Sequence, residues 1–250
     1  MCGRYVTSRS AAEIADVFAI DRDATSEPLE ADYNVAPTKR VPMVCERQTD
    51  DASGREAERQ LRDVRWGLVP SWTKSLDGTS RPLINARAES AADKPAFRRA
   101  LATRRCLLPT DGYYEWHTDT RGRRQPHFIH ADESGLAMAG LYELWRDPEH
   151  ADDGTAPAWW WTCAILTTAA DDSLAWLHHR MPVIVPPGRC DAWLDPSRPG
   201  ADQLHALTAT PAVRLRAYPV SPEVNSVHNN APRLLRPWQT PDPSVQESIF

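Results

Sequence analysis

At 250 residues, with 41% hydrophobic and 25% charged content, the chain can bury a substantial core and has the composition of an ordinary globular protein. A net charge of −5 argues against coating nucleic acid by bulk attraction, so any DNA contact must be local. No run of about 18 apolar residues suggests a membrane span. The five cysteines, Cys2, Cys45, Cys106, Cys163 and Cys190, are odd in number and form no C-x-x-C pair, which speaks against a disulfide framework and a zinc site. With no secretory leader or repeat, a cytoplasmic protein without metal or cofactor is expected. Ten tryptophans and 22 prolines imply short elements joined by many loops, with most of the tryptophans in the core.

Met1-Cys2-Gly3-Arg4-Tyr5 opens the chain. Removal of Met1, favoured by the small side chain behind it, leaves a cysteine with an α-amine and a thiol on adjacent carbons. The amine titrates at about 7.7–8.0 and the thiol at about 8.5, so both are usable nucleophiles near neutrality. Such a terminus can attack an acyl carbon through sulfur. It can also condense with an aldehyde through nitrogen and close to a thiazolidine through sulfur. Gly3 to Thr7 reads as a short strand that ties the terminus down.

Ser10-Ala11-Ala12-Glu13 is a capping box opening a short helix, with Ala11, Ile14, Val17 and Phe18 on its packing face. Residues 20–30 read as irregular. Tyr33-Asn34-Val35-Ala36-Pro37 breaks the chain before a strand at Val41 to Cys45, the charged stretch 46–59 reads as an exposed loop, and a strand resumes at Leu61 to Leu68. Trp66-Gly67-Leu68-Val69-Pro70-Ser71-Trp72 follows. In Leu83 to Ser90, Asn85, Arg87 and Glu89 alternate with Ile84, Ala86 and Ala88, so an extended segment puts all three polar groups on one face, either a polar site or a solvated one.

A helix with Pro95 in its first turn runs to about Thr103, and Cys106 to Pro109 is a buried strand. Gly112-Tyr113-Tyr114-Glu115-Trp116 is an aromatic strand whose carboxyl group sits in a desolvating setting suited to proton transfer. Arg121 to Arg124 forms a basic hairpin tip, read as solvated. Pro126 to His130 and Leu136 to Leu144 are expected to pair, and Trp159 to Thr168 to extend the sheet. A helical turn at Asp171 to Leu177 precedes His178-His179-Arg180-Met181-Pro182, where the adjacent histidines are expected to point apart. Short helices at Pro186 to Trp193 and Ala201 to Ala209, a strand at Val213 to Val220 and a polar turn at 224–230 complete the chain before a loose end from Pro237.

These motifs, from Met1-Cys2-Gly3-Arg4-Tyr5 to His178-His179-Arg180-Met181-Pro182, occur in the order seen in the SOS-response-associated peptidase (SRAP) family, which the chain resembles over residues 2–232. The resemblance implies a shield for abasic sites that binds single-stranded DNA and traps the ring-opened deoxyribose aldehyde as a thiazolidine on Cys2. By motif match Cys2 is the nucleophile, Asn85 orients the amine and sugar, and Glu115 moves protons during imine formation. His178 acts on the sugar oxygen. Arg4 and Arg87 are the expected phosphate ligands beside Cys2 and Asn85, with Trp72 and Pro37 wedging or stacking in the gap left by the missing base. Thr73 stands where some relatives have a second aromatic residue.

The short strands and few helices suggest an α+β fold: a single domain at 2–236 on curved, mainly antiparallel sheet, resembling a distorted barrel with short peripheral helices, then a tail at 237–250. A monomer is expected. Since only Met1 precedes Cys2, ordinary methionine removal suffices. The alternatives are an N-terminal-nucleophile hydrolase, of peptidase or glutamine amidotransferase type, and a non-catalytic module for modified bases.

Overall fold

The computed structural model describes residues 2–51, 54–76, 82–132, 136–147, 159–209 and 213–239, without the side chains of 49–51 and 54–56. In chain order the elements are β1 (Tyr5–Thr7), α1 (Ala11–Phe18), β2 (Arg22–Asp23), β3 (Asp32–Val35), β4 (Arg40–Asp51), β5 (Gly54–Trp66), β6 (Asn85–Arg87), α2 (Ala88–Ala91), α3 (Pro95–Thr103), β7 (Arg105–Thr110), β8 (Gly112–Thr118) and β9 (Arg124–Ala131). They continue with β10 (Leu136–Arg146), β11 (Trp159–Ala169), β12 (Arg180–Pro182), β13 (Ile184–Val185), α4 (Cys190–Leu194), α5 (Gly200–Ala209) and β14 (Leu215–Pro219). Single 3₁₀ turns occupy Pro187–Arg189, Pro222–Asn225 and Pro232–Leu235.

Five strands close a ring. The pairs β11/β10, β10/β7, β7/β4 and β4/β5 are antiparallel, and a short parallel pairing of β5 with β11, through Arg65 and Trp66 opposite Thr162 and Cys163, completes the circuit. Closure removes the open edges a flat sheet would expose. A second antiparallel sheet, ordered β14-β9-β8-β1-β3, packs on the ring. The result is the α+β, distorted-barrel single domain expected from the sequence. Among the described residues no helix is long and apolar enough to cross a membrane.

Strand alternation divides the core. Val44, Leu61, Leu107, Ala139, Leu141, Ala164 and Leu166 pack with residues of α1, α3, α4 and α5. Met43, Cys45, Trp66, Cys106, Leu108, Met138, Cys163 and Ile165 point the other way and share a cluster with Cys2, Tyr5, Tyr113 and Ile129 of the second sheet. The barrel interior thus continues to the chain's second residue. Cys106 and Cys163 are core residues, and all five cysteines are buried free thiols.

Local signals hold where chemistry is local. Ser10 caps α1 with both halves of its box made, and Pro95 starts α3. Several non-local expectations are corrected. Residues 46–51 and 54–59 lie in paired strands rather than an exposed loop, because opposite charges face each other across the strands: Glu46 pairs with Arg59 and Arg47 with Glu58 in register, and the Arg59–Glu46 ion pair measures 2.5 Å. Residues 20–30 include β2, paired in parallel with β5. Val17 is 54% exposed, since Ile14 and Phe18 alone fill the buried stripe of α1.

The β9 and β10 segments do not pair; β9 lies between β8 and β14, and β10 lies in the barrel. Only Trp66, Trp145 and Trp193 of the ten tryptophans are fully buried, while Trp72, Trp159, Trp176 and Trp238 are exposed. Of the expected tail, Pro237 bridges Val220 and the Trp238 amide donates to the Pro219 carbonyl at 2.8 Å. Residues 240–250, like Met1, lie outside the described residues.

Candidate active site around Cys2

Cys2 is fully buried just ahead of β1, whose Tyr5 pairs with Val35 on one side and Tyr113 on the other. The Tyr5 ring meets Trp66 edge-on at 5.2 Å, and the Trp66 indole N–H donates to the Ile84 carbonyl at 2.9 Å. That bond seats the start of β6, which runs parallel to β11 with Asn85 opposite Ile165. Asn85 Nδ2 donates to the Cys2 carbonyl at 2.9 Å, while its Oδ1 is buried with no hydrogen-bond partner among the described residues. An unsatisfied buried acceptor is costly and is expected where a ligand completes the set.

The carboxyl group comes from β8. Gly112 starts this strand because a Cβ there would lie 2.4 Å from the Ile129 carbonyl oxygen. Beyond it, Tyr113, Glu115 and His117 share one face, and Tyr114 and Trp116 the other. The second set packs with Val6, Phe128, Val220, Val224 and Leu234, and the first faces the cluster holding Cys2. Glu115 is 7% exposed.

His178 arrives from the turn before β12. Its Nδ1 accepts from the Arg180 amide at 2.9 Å and lies 3.2 Å from the Arg180 carbonyl, so the neutral ring carries its proton on Nε2. The two histidines do not point apart: the rings of His178 and His179 stack at 4.3 Å, because this segment is bent rather than extended. Arg180 fixes the bend, gripping Glu89 through two bonds of 2.6 and 2.9 Å and the Thr167 carbonyl at 2.6 Å. Glu89 therefore does not share a strand face with Asn85 and Arg87; β6 ends at Arg87 and Glu89 lies in α2. Sequence reasoning missed this pair, although the arginine directly follows the histidines.

Burial pushes the Cys2 thiol up to about 12, with the nearby Glu115 charge acting in the same direction. Burial holds the His178 imidazole below its ordinary value, against the opposing pull of Glu115. The Tyr113 hydroxyl is pushed up by burial and then by Cys2 and Glu115, placing it within their field. Cys2, Asn85, Glu115 and His178 thus converge, with the thiol protonated and the imidazole neutral near pH 7. Such a set suits an electrophile that reacts first with an amine and needs protons moved between oxygen, nitrogen and sulfur.

The candidate DNA contacts divide. Arg87 is exposed two residues beyond Asn85. Trp72, 60% exposed, sits in a turn closed by the Thr73 amide on the Pro70 carbonyl at 2.9 Å and anchored by the Trp145 indole N–H on the Thr73 carbonyl at 2.8 Å. Pro37 is half-buried beside Thr38, whose φ of 75° is unusual for a β-branched residue. The Thr38 amide donates to the Trp66 carbonyl at 2.8 Å, so the Pro37 turn and the segment leading to Trp72 share Trp66 as an anchor.

Arg4 does not line a channel beside Cys2. Just ahead of β1 its side chain takes the side opposite Tyr5, where Nη1 donates to Asn34 Oδ1 at 2.7 Å and the Val224 carbonyl at 2.8 Å, with the guanidinium 5.7 Å from the centre of the Trp116 ring. Asn34, fully buried, holds the segment 224–229 as a strap by donating to the carbonyls of Val224, Ser226 and Asn229. This asparagine of the Tyr-Asn-Val-Ala-Pro motif is a structural clamp.

The arrangement is that of a small closed barrel carrying a buried cysteine at its second position, with an amide, a carboxyl group and an imidazole gathered on it. The family model described as SOS response associated peptidase (SRAP) matches residues 1–227, and the chain belongs to that family. It is 35% identical over 237 residues to the abasic site processing protein YoqW of Bacillus subtilis (strain 168), covering 94% of this chain and 99% of that protein. It is 31% identical over 269 residues to the abasic site processing protein HMCES of Gallus gallus, covering 95% and 78%. A crystal structure of a protein from Bacteroides thetaiotaomicron matches with a TM-score of 0.78 at 25% identity, covering 95% of this chain and 100% of that one.

Proposed function

We propose that the protein processes abasic sites in single-stranded DNA, trapping the ring-opened deoxyribose aldehyde as a thiazolidine on Cys2 once Met1 is removed. The relatives named as abasic site processing proteins support the substrate class. The observation that carries the chemistry is Asn85, bonded to the Cys2 carbonyl with a buried Oδ1 left to accept a further hydrogen bond. The freed α-amine or a sugar hydroxyl supplies that donor.

The sequence of steps follows from the protonation states. Burial of the Cys2 side chain disfavours its thiolate, so the α-amine freed with Met1 is the first nucleophile. The amine nitrogen adds to the aldehyde carbon, the carbinolamine loses its hydroxyl as water, and an imine forms. Sulfur then adds to the imine carbon, and the thiol proton passes to nitrogen, so the product contains protein and DNA less one water. His178, protonated on Nε2, gives that proton to the ring oxygen as the closed sugar opens and recovers one from the anomeric hydroxyl. Glu115 helps expel the hydroxyl and carries the sulfur proton across. Arg87 grips a phosphate, while Trp72 and Pro37 occupy the space of the missing base. Arg4, facing the strap, serves the site by holding the strand behind Cys2.

A strongly protonated thiol disfavours the hydrolase alternative, which needs sulfur to attack first. Denaturing gels of the protein mixed with abasic single-stranded DNA test the reading. A slow-migrating species with the unsubstituted protein, absent with Cys2→Ala and with intact DNA, is expected. Its absence from folded protein lacking Met1 would contradict the proposal.

A further inference from the structure

The face of β8 that presents Glu115 continues past it. His117 lies two residues further along the strand, about 7 Å away. His127 of β9 stands directly across from Glu115 in register. Their rings are 6.4 Å apart and perpendicular, and Trp176, two residues before His178, covers both, with ring centres 5.5 Å from His117 and 5.2 Å from His127. The chemistry around Cys2 uses none of the three.

Trp176 is 51% exposed, yet it is held. Its indole N–H donates to the Ser173 carbonyl at 2.9 Å. The turn beneath is locked by Asp171 Oδ1, which accepts from the Ser173 amide, the Ser173 hydroxyl and the Leu174 amide at 3.0, 2.6 and 3.2 Å. Leu174 and Leu177 are buried in the cluster that contains Cys2. On its other side, His127 is 8% exposed and donates from Nδ1 to the Gln125 carbonyl at 3.1 Å, and burial holds it below its ordinary pKa. A half-exposed aromatic plate is thus fixed by hydrogen bonding and packed on two imidazoles beside the reacting groups. Little side-chain freedom is left to lose when something flat settles on it.

We propose that Trp176, backed by His117 and His127, is a stacking subsite for a nucleobase flanking the abasic nucleotide. The inference rests on the DNA reading above. An abasic nucleotide has no base to bind, so recognition must draw on its neighbours, and every base offers a π-face to an exposed indole. The continuity of the subsite with Glu115 along β8 puts it within reach of the adjoining nucleotide. A plate so built accepts any base.

The test uses a labelled single-stranded oligonucleotide carrying one tetrahydrofuran abasic analogue, which lacks the aldehyde and reports binding alone. Trp176→Ala is expected to weaken binding about tenfold, with Trp176→Phe recovering most of the loss. Replacing the base on one side of the analogue by a second tetrahydrofuran should weaken the unsubstituted protein to a similar extent, and Trp176→Ala scarcely further. Thermal unfolding verifies that each variant is folded. Equal affinity of Trp176→Ala and the unsubstituted protein, or fully additive losses for both flanking positions, would overturn the subsite. A parallel incubation with aldehyde-bearing abasic DNA separates the two claims: adduct formation without a Trp176 effect removes the subsite alone, and no adduct from the unsubstituted protein removes both.

Discussion

Asn85 and Cys2 are joined by one hydrogen bond, Nδ2 to the Cys2 carbonyl at 2.9 Å, while the other end of the same amide is buried without a partner among the described residues. In the proposed reaction the bond orients the terminus and the orphan Oδ1 receives the amine or sugar. Asn85→Asp keeps the shape but loses the donor and adds a charge. Its expected effect is adduct formation slower by about 10²-fold, with stability lower by about 1–3 kcal/mol because the Cys2 carbonyl loses its donor. Time courses on denaturing gels alongside urea unfolding check both parts.

The thiols carry a second prediction. Burial raises Cys2 and Cys45 to about 12 and Cys190 to about 11, and pushes Cys106 well up. At pH 8 almost none of these groups is thiolate. Ellman's reagent should therefore react slowly with the native protein and release five equivalents once it is unfolded. Rapid native reaction of one thiol, lost in Cys2→Ala, would show that Cys2 leads through sulfur.

His178 gives the pH dependence its shape. The α-amine, at about 7.7–8.0, protonates as pH falls and slows the reaction everywhere below that range. Burial lowers the His178 pKa from its ordinary 6.5, so the ring stays neutral through pH 7 and becomes charged only below that ordinary value. The log of the rate should steepen again in that lower window. His178→Gln should react more slowly at neutral pH and lack the second steepening.

Asn34 separates structure from chemistry. Its fully buried side chain holds three strap carbonyls and accepts from Arg4. Asn34→Ala leaves those groups unpaired and should lower stability by about 2–4 kcal/mol in urea. At temperatures well below its midpoint, the variant should still form adduct at close to the normal rate, because the strap packs on the face of β8 opposite Glu115.

What the sequence made legible is what short-range chemistry controls. The capping box at Ser10, Pro95 at the start of α3 and the aromatic alternation of β8 each depend on neighbours a few residues away. The four groups gathered at Cys2 were readable as chemical types in ordered motifs. Pairing across distance was not. The 46–59 stretch looks like a solvated loop until Arg59 is known to face Glu46, and nothing local gives β9 the distant β14 as its second neighbour in place of β10. The same holds for side-chain direction: Arg4 is two residues from Cys2, a spacing that would share a face on a regular strand, but β1 begins only at Tyr5 and the guanidinium goes to Asn34 and Val224. Trp176 escaped notice because its partners, His117 and His127, lie on two other strands.

The most direct test of the central claim is the intact mass of the protein–DNA adduct, measured with and without borohydride. An imine and a thiazolidine weigh the same, each being protein and DNA less one water, but borohydride adds two hydrogens only to the imine. The account predicts a species lacking Met1, less one water, whose mass borohydride leaves unchanged, and which Cys2→Ala does not form. An adduct that retains Met1, or one that gains two hydrogens in full, would contradict closure through the Cys2 sulfur.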